Sequence, residues 1–262
     1  MPSLDNRGAV GAAFVGAYAP IAVLTFILLI RYGLRRDAGW LWLNIFALTR
    51  IAEGALLLAG ELMKPPKPIL LDAAHIMDFA GIAPLMLSTL GFLGMAGQNT
   101  YSDNPRVATL LRLVALVILA GIGLTTAGGI LGIQAHSNHS SAKLLREIGN
   151  ILYAISYVCL FIAHIGTWTY RWHLRSYRRN LLFGISTALP LLGVRIAYSV
   201  LQAFSASDVR GLEPSSNPTL AKLNPVTGNF TLWLVLSVIM EFIVALLYLY
   251  SSTVLAKKHH HH

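Results

Sequence analysis

The sequence predicts an all-α integral membrane protein, a bundle of seven transmembrane helices, on three observations. Apolar residues make up 55% of the 262-residue chain and charged residues only 12%. The apolar residues gather into seven blocks, each long enough to cross a ~30 Å hydrocarbon core as a helix of roughly 20 residues. Turn-forming or charged residues separate the blocks. A soluble domain of this size needs no such pattern.

The first span is expected over about 9–30 and ends at Arg31. It is long enough to be a retained helix, so no cleavable signal peptide is required. The second, about 40–62, opens at Trp40 after the basic pair Arg35-Arg36 and carries Arg50 and Glu53 at mid-depth. The third, about 70–95, follows a proline-rich break and holds Asp72, His75 and Asp78. The fourth covers about 107–133, and the fifth, about 145–170, contains the lone Cys159 and His164. A single cysteine forms no intrachain disulfide. The sixth, about 181–204, follows a basic run ending at Arg179 and carries Arg195. The seventh, about 230–255, carries Glu241. One membrane domain thus covers 1–258, and residues 259–262, four histidines, look like part of a purification tag and are set aside.

Lysine and arginine set the orientation, because cytoplasmic loops collect them. With the N-terminus outside or lumenal, eleven basic residues fall on the inner side, Arg31, Arg35, Arg36, Arg106, Arg112, Arg171, Arg175, Arg178, Arg179, Lys257 and Lys258. Seven fall outside, Arg7, Lys64, Lys67, Lys143, Arg146, Arg210 and Lys222. The C-terminus is then cytoplasmic, and the sequon at Asn138 lies on an outer loop. The net charge of +9 is accounted for by this topology and by anionic lipid headgroups, so no nucleic-acid partner is implied. The one long connection, 205–229, is rich in Ser, Asn, Pro and Gly; it either caps an outer cavity mouth or only connects.

An arginine near the bilayer centre is unfavourable by roughly 2.5–3.5 kcal/mol on insertion scales, so it implies a partner and a purpose. This chain has two, each opening the tripeptide Arg-Ile-Ala: Arg50-Ile51-Ala52 and Arg195-Ile196-Ala197. The shared tripeptide fits either an internal repeat of three spans or two helices converging on one site. Glu53 and Glu241 lie at similar depth, with Asp78 about 7 Å outward at 1.5 Å per residue. Arg50 and Glu53 have the i,i+3 spacing for pairing within a helix. Two arginines facing three acids leave one carboxyl group in surplus. In an apolar site such a group favours its neutral form and can donate a proton. A wholly structural network gluing helices is the alternative.

Asp72, His75 and Asp78 share one face of the third span. His75 is expected near the outer surface and His164 on the cytoplasmic side of centre, too far apart for one ion, so no metal site is expected. Trp233, Ser237, Glu241 and Tyr248 form one stripe, Arg195, Tyr198 and Gln202 another, and Tyr153, Tyr157, His164 and Trp168 a third. Such stripes serve packing, or their ring faces hold a cationic ligand.

The stretches Gly33–Trp40, Leu48–Gly54, Gly81–Leu85 and Asn224–Asn229 together resemble a family of fungal seven-pass membrane proteins of unknown function, over nearly the whole chain. A second similarity, in size and in acidic residues placed in an early and the last span, is to the fungal membrane-bound terpene cyclases of meroterpenoid pathways. That similarity implies an acid pair of Glu53 and Glu241, with Glu241 or Asp78 donating the proton that starts cyclisation of an apolar isoprenoid-like substrate. Arg50, Arg195, Tyr198, Trp233, Tyr157 and His75 would line the substrate. No cofactor enters that scheme; membrane lipids are the surrounding partner, and the endoplasmic reticulum or another endomembrane is the expected location. The similarity to small sugar carriers and fungal lipid-translocating proteins implies instead a transporter or binding protein with a central Arg–carboxylate site. The Pro-Gln pair of such sugar carriers is absent. Two other seven-pass classes do not fit: span seven has no lysine for a retinal Schiff base and no histidine of the zinc lipid-amide hydrolases.

Overall fold

The computed structural model describes residues 6–32, 38–63, 68–97, 104–134, 139–174, 176–206, 213, 215–224 and 226–258. Of the residues read above, Arg35, Arg36, Lys64, Lys67, Asn138, Arg175, Arg210 and 259–262 lie outside these.

Among the described residues ten α-helices run in chain order: α1 (Asn6–Tyr32), α2 (Ala38–Leu62), α3 (Pro68–Ala80), α4 (Ile82–Ala96), α5 (Pro105–Gln134), α6 (His139–Thr169), α7 (Ser176–Phe204), α8 (Pro218–Ala221), α9 (Phe230–Trp233) and α10 (Met240–Lys258). A short 3₁₀ turn at Arg171–His173 separates α6 from α7, and Leu234–Ile239 joins α9 to α10 in π geometry. Taken together these make seven helical segments long and apolar enough to cross a membrane. Several start earlier than the apolar blocks alone predict: α5 begins at Pro105 and α6 at His139. The hydrogen-bond ladder of a helix runs on into its polar first turn, where hydropathy gives no signal.

The third segment is made of two helices because of Pro84. It has no N–H to donate to the Ala80 carbonyl, and the ladder is interrupted at Gly81, whose own N–H still reaches Met77 O at 2.8 Å. This segment is also the centre of the bundle. In its most apolar stretch 83% of residues are buried, against 11% for α5, which lies at the periphery against α6. Around α3 and α4 pack α2, α5, α6 and α7, while α1 packs on α2 and α10 on α7.

Close backbone approach sets two of these contacts. A Cβ on Gly54 would lie 2.6 Å from Gly11 O in α1, and one on Gly149 would lie 2.5 Å from a Thr125 methyl in α5. Small residues at helix crossings are how bundles pack where lipid supplies no hydrophobic drive. The outward faces carry large apolar side chains, among them Leu24, Phe26 and Ile27 on α1, Leu113 and Leu116 on α5, and Val158, Ile162 and Ile165 on α6. So broad an apolar exterior suits lipid rather than water.

Candidate functional site

Four helices converge on a buried ion-pair network built from the residues that the charge inventory singled out. Arg50 and Glu53 come from α2, Asp78 from the last turn of α3, Arg195 from α7 and Glu241 from the first turn of α10; none is more than 3% exposed. Arg50 donates to Glu53 through Nη1, which also lies 3.3 Å from Asp78 Oδ1. Its Nη2 reaches Glu241 Oε1 at 2.6 Å and Oε2 at 2.5 Å. Arg195 donates from Nε to Glu241 Oε1 at 2.5 Å and from Nη2 to Asp78 Oδ1 at 2.9 Å. Charge-assisted contacts of this kind are short and directional, which suits the planar guanidinium fork.

Local structure explains the position of Asp78. The carbonyls in the last turn of a helix lack intrahelical partners and carry the negative end of its dipole. Both guanidinium Nη2 atoms approach the Asp78 carbonyl oxygen at 3.4 Å, so the interruption at Gly81 gives the arginines a main-chain acceptor beside the carboxylate. Glycine gives the arginine room there, since a Cβ on Gly81 would sit 3.0 Å from the Arg50 guanidinium carbon. Gln202 Nε2 reaches Asp78 Oδ2 at 3.3 Å and Ser237 Oγ reaches Oδ1 at 3.4 Å.

The two Arg-Ile-Ala tripeptides therefore place their arginines on the same two acids, Glu241 and Asp78. Aromatic rings cover the cations: the Arg50 guanidinium carbon lies 5.6 Å from the Phe46 ring centre and 5.9 Å from that of Phe14, and Arg195 lies 5.9 Å from Tyr198. These ring faces serve the protein's own cations. Four polar atoms at the network are buried without a hydrogen-bond partner among the described residues: Arg50 Nε, Arg195 Nη1, Gln202 Oε1 and the Tyr18 hydroxyl.

A narrow cleft reaches the acids from the end of the bundle where α1 begins. It is lined by Arg7, Glu53, Leu57, Ala74, His75, Asp78 and Trp233, and its free space admits about one water molecule. Arg7 is pinned across it by a 2.5 Å hydrogen bond to Val226 O. This arginine changes the charge inventory, because it brings a third cation to the two acids at the cleft's base.

Other expected site residues direct their polar atoms away from the acids. The Tyr157 hydroxyl donates to Leu189 O at 3.0 Å on the α6–α7 face, and Tyr198 donates to Leu223 O at 3.2 Å, tying α7 to the 215–224 segment. His164 meets Ser186 Oγ at 3.0 Å. Among the described residues no three His, Cys, Asp or Glu side chains are grouped to hold a metal ion. Sequence reasoning missed Tyr18, an apolar-looking tyrosine one turn from Phe14, and Arg7, which it counted only for topology. Gln202 was legible through its four-residue spacing from Tyr198, but its Asp78 contact was not.

Seven apolar helices around a buried Arg–carboxylate core define the class: the fold suggests a multi-pass membrane protein. The chain belongs to the family described as Domain of unknown function (DUF7702), whose model matches residues 4–258. No curated protein and no solved structure matches it.

Proposed function

We propose that this is a carrier of small polar solutes, with its N-terminus and cleft on the outer or lumenal side and the Arg–carboxylate network as the solute site. The observation that carries the reading is the set of unfilled valences in the network. Arg50 Nε and Arg195 Nη1 are donors and Gln202 Oε1 is an acceptor, all buried and unpaired among the described residues. Native interiors rarely leave such atoms unpaired, and a network serving only as glue has no use for them. A neutral solute bearing hydroxyl and carbonyl groups satisfies both kinds at once. The irregular backbone around the site supports the same reading: the donor missing at Pro84, about one and a half turns after Asp78, and π geometry immediately before Glu241. Discontinuous helices at mid-depth supply solute sites in many carriers, and π segments recur at functional positions.

The test uses purified protein in sealed proteoliposomes and a panel of small polyols, sugars and hydroxy-carbonyl compounds. Uptake of at least one chemically unchanged solute, lost in Arg195→Gln, is the expected result. No uptake of any member overturns the assignment.

A second reading, acid-initiated cyclisation of an isoprenoid, is favoured by one arrangement: Trp233 lines the same cleft as Glu53 and Asp78. It ranks lower because the rings of Phe14, Phe46 and Tyr198 already face arginines. Microsomes given prenylated epoxides would yield cyclised product in this case, and Glu53→Gln would yield none.

A further inference from the structure

We propose that Glu53 is a proton-binding site loaded through the cleft from the end of the bundle where α1 begins. A comparison of carboxylate oxygens carries the argument. Glu241 has both oxygens within 2.6 Å of a guanidinium nitrogen. Asp78 has Oδ1 shared by Arg50, Arg195 and Ser237, and Oδ2 held by Gln202. Glu53 is different: Oε2 accepts from Arg50, while Oε1 has no hydrogen bond among the described residues. Glu53 also lines the cleft, and Oε1 is not among its sealed, unpartnered atoms. One acid of three thus keeps a free lone pair where a single water can reach it.

The surroundings favour proton uptake there. An ionised carboxyl group buried among apolar helices is unfavourable unless both its oxygens are paired, and the arginines around the three acids, Arg50, Arg195 and Arg7, leave Glu53 Oε1 without a hydrogen bond among the described residues. A proton taken from bulk solvent and relayed through the cleft water, which is regenerated, forms an O–H bond at Oε1 and leaves the Arg50 contact at Oε2 in place. The ionisable groups facing Glu53 are Arg50 on its own helix, Arg7 and Tyr18 from α1, His75 and Asp78 from α3, and Glu241 from α10. His75 lies about one turn nearer the mouth than Asp78 and lines the same cleft, placed to pass a proton inward.

Only the use made of this proton, to couple solute movement to a pH gradient, rests on the carrier reading. The protonation itself can be read without solute. Infrared difference spectra of the purified protein, recorded between alkaline and acidic buffer, are expected to contain the C=O stretch of a buried protonated carboxyl group that shifts in D2O. The band disappears in Glu53→Gln and persists in Asp78→Asn. If Glu53→Gln does not fold, Glu53→Asp is expected to move the band's frequency. Ala74→Leu, which fills the cleft beside an intact acid, is expected to slow its appearance after a pH jump several-fold. No band, or one that Glu53→Gln or Glu53→Asp leaves unchanged, overturns the proposal. A Glu53 band in a protein that moves no solute overturns only the carrier reading.

Discussion

The two halves of this bundle solve the burial of polar groups in opposite ways. Towards the far end from the cleft, where α2 begins, polar side chains are neutral and several are closed in pairs, with His164 Nδ1 unpartnered among the described residues. The Thr89 and Tyr248 hydroxyls meet at 2.7 Å, and Ser88 Oγ donates to Gly39 O at 3.0 Å. Around them Trp40 packs edge to face on Phe92, with ring centres 6.4 Å apart, and Phe92 lies tilted against Tyr248 at 5.4 Å. In the half that opens to the cleft the polar groups are charged, shared among four helices and left with unfilled valences. Neutral pairs of modest strength are sufficient to hold apolar helices together. The charged cluster exceeds that need, and the contrast between halves is what marks it as the working region.

Four substitutions sharpen the contrast. The largest effect is expected from Glu241→Gln, which removes the anion that both arginines share: a loss of about 3–5 kcal/mol, the usual consequence of breaking a buried pair from one side. Thermal unfolding in detergent measures it, and a second change, Arg195→Gln, should restore part of the loss. In the sealed half, Gly39→Ala drives a Cβ to within 2.7 Å of the Phe92 ring, which Trp40 and Tyr248 hold in place. Overpacking of this kind typically costs about 1–3 kcal/mol, here with solute binding unchanged in a protein that still folds. The same substitution at Gly81 meets the end of a longer side chain at 3.0 Å. A smaller destabilisation, about 1 kcal/mol, should come with weakened uptake, since Arg50 itself must move. Thr89→Val, which removes one neutral hydrogen bond, is expected to cost about 0.6 kcal/mol and to leave uptake intact. If Thr89→Val proves as damaging as Glu241→Gln, the distinction between the halves fails.

Much of this was legible in the sequence for a simple reason: a charge in an apolar run cannot be ignored. Arg50, Glu53, Asp78, Arg195 and Glu241 stand out because bilayer burial penalises each of them, and their similar depths foretell that they meet. Depth does not tell which oxygen meets which nitrogen. Glu241, rather than Glu53 alone, takes the second Arg50 contact, and the acid with an uncommitted oxygen is Glu53, which the sequence paired off with Arg50. Arg7 was invisible as a site residue because it precedes the first apolar block, and only the approach of α1 to Val226 brings it over the cleft. Tyr157 and Tyr248 show the converse. Their spacing puts them on stripes with polar residues, yet one bonds a main-chain carbonyl and the other a threonine, both away from the acids.

The most direct test of the central claim, that the network works on solute rather than gluing helices, is uptake by the double variant Arg195→Met/Glu241→Leu in sealed proteoliposomes. Apolar residues of similar volume can replace a buried ion pair with little loss of stability, so the variant can fold while lacking this pair of charges. The expected result is a folded protein whose uptake of the wild-type solute is abolished. Uptake at the wild-type rate by that folded variant would contradict it.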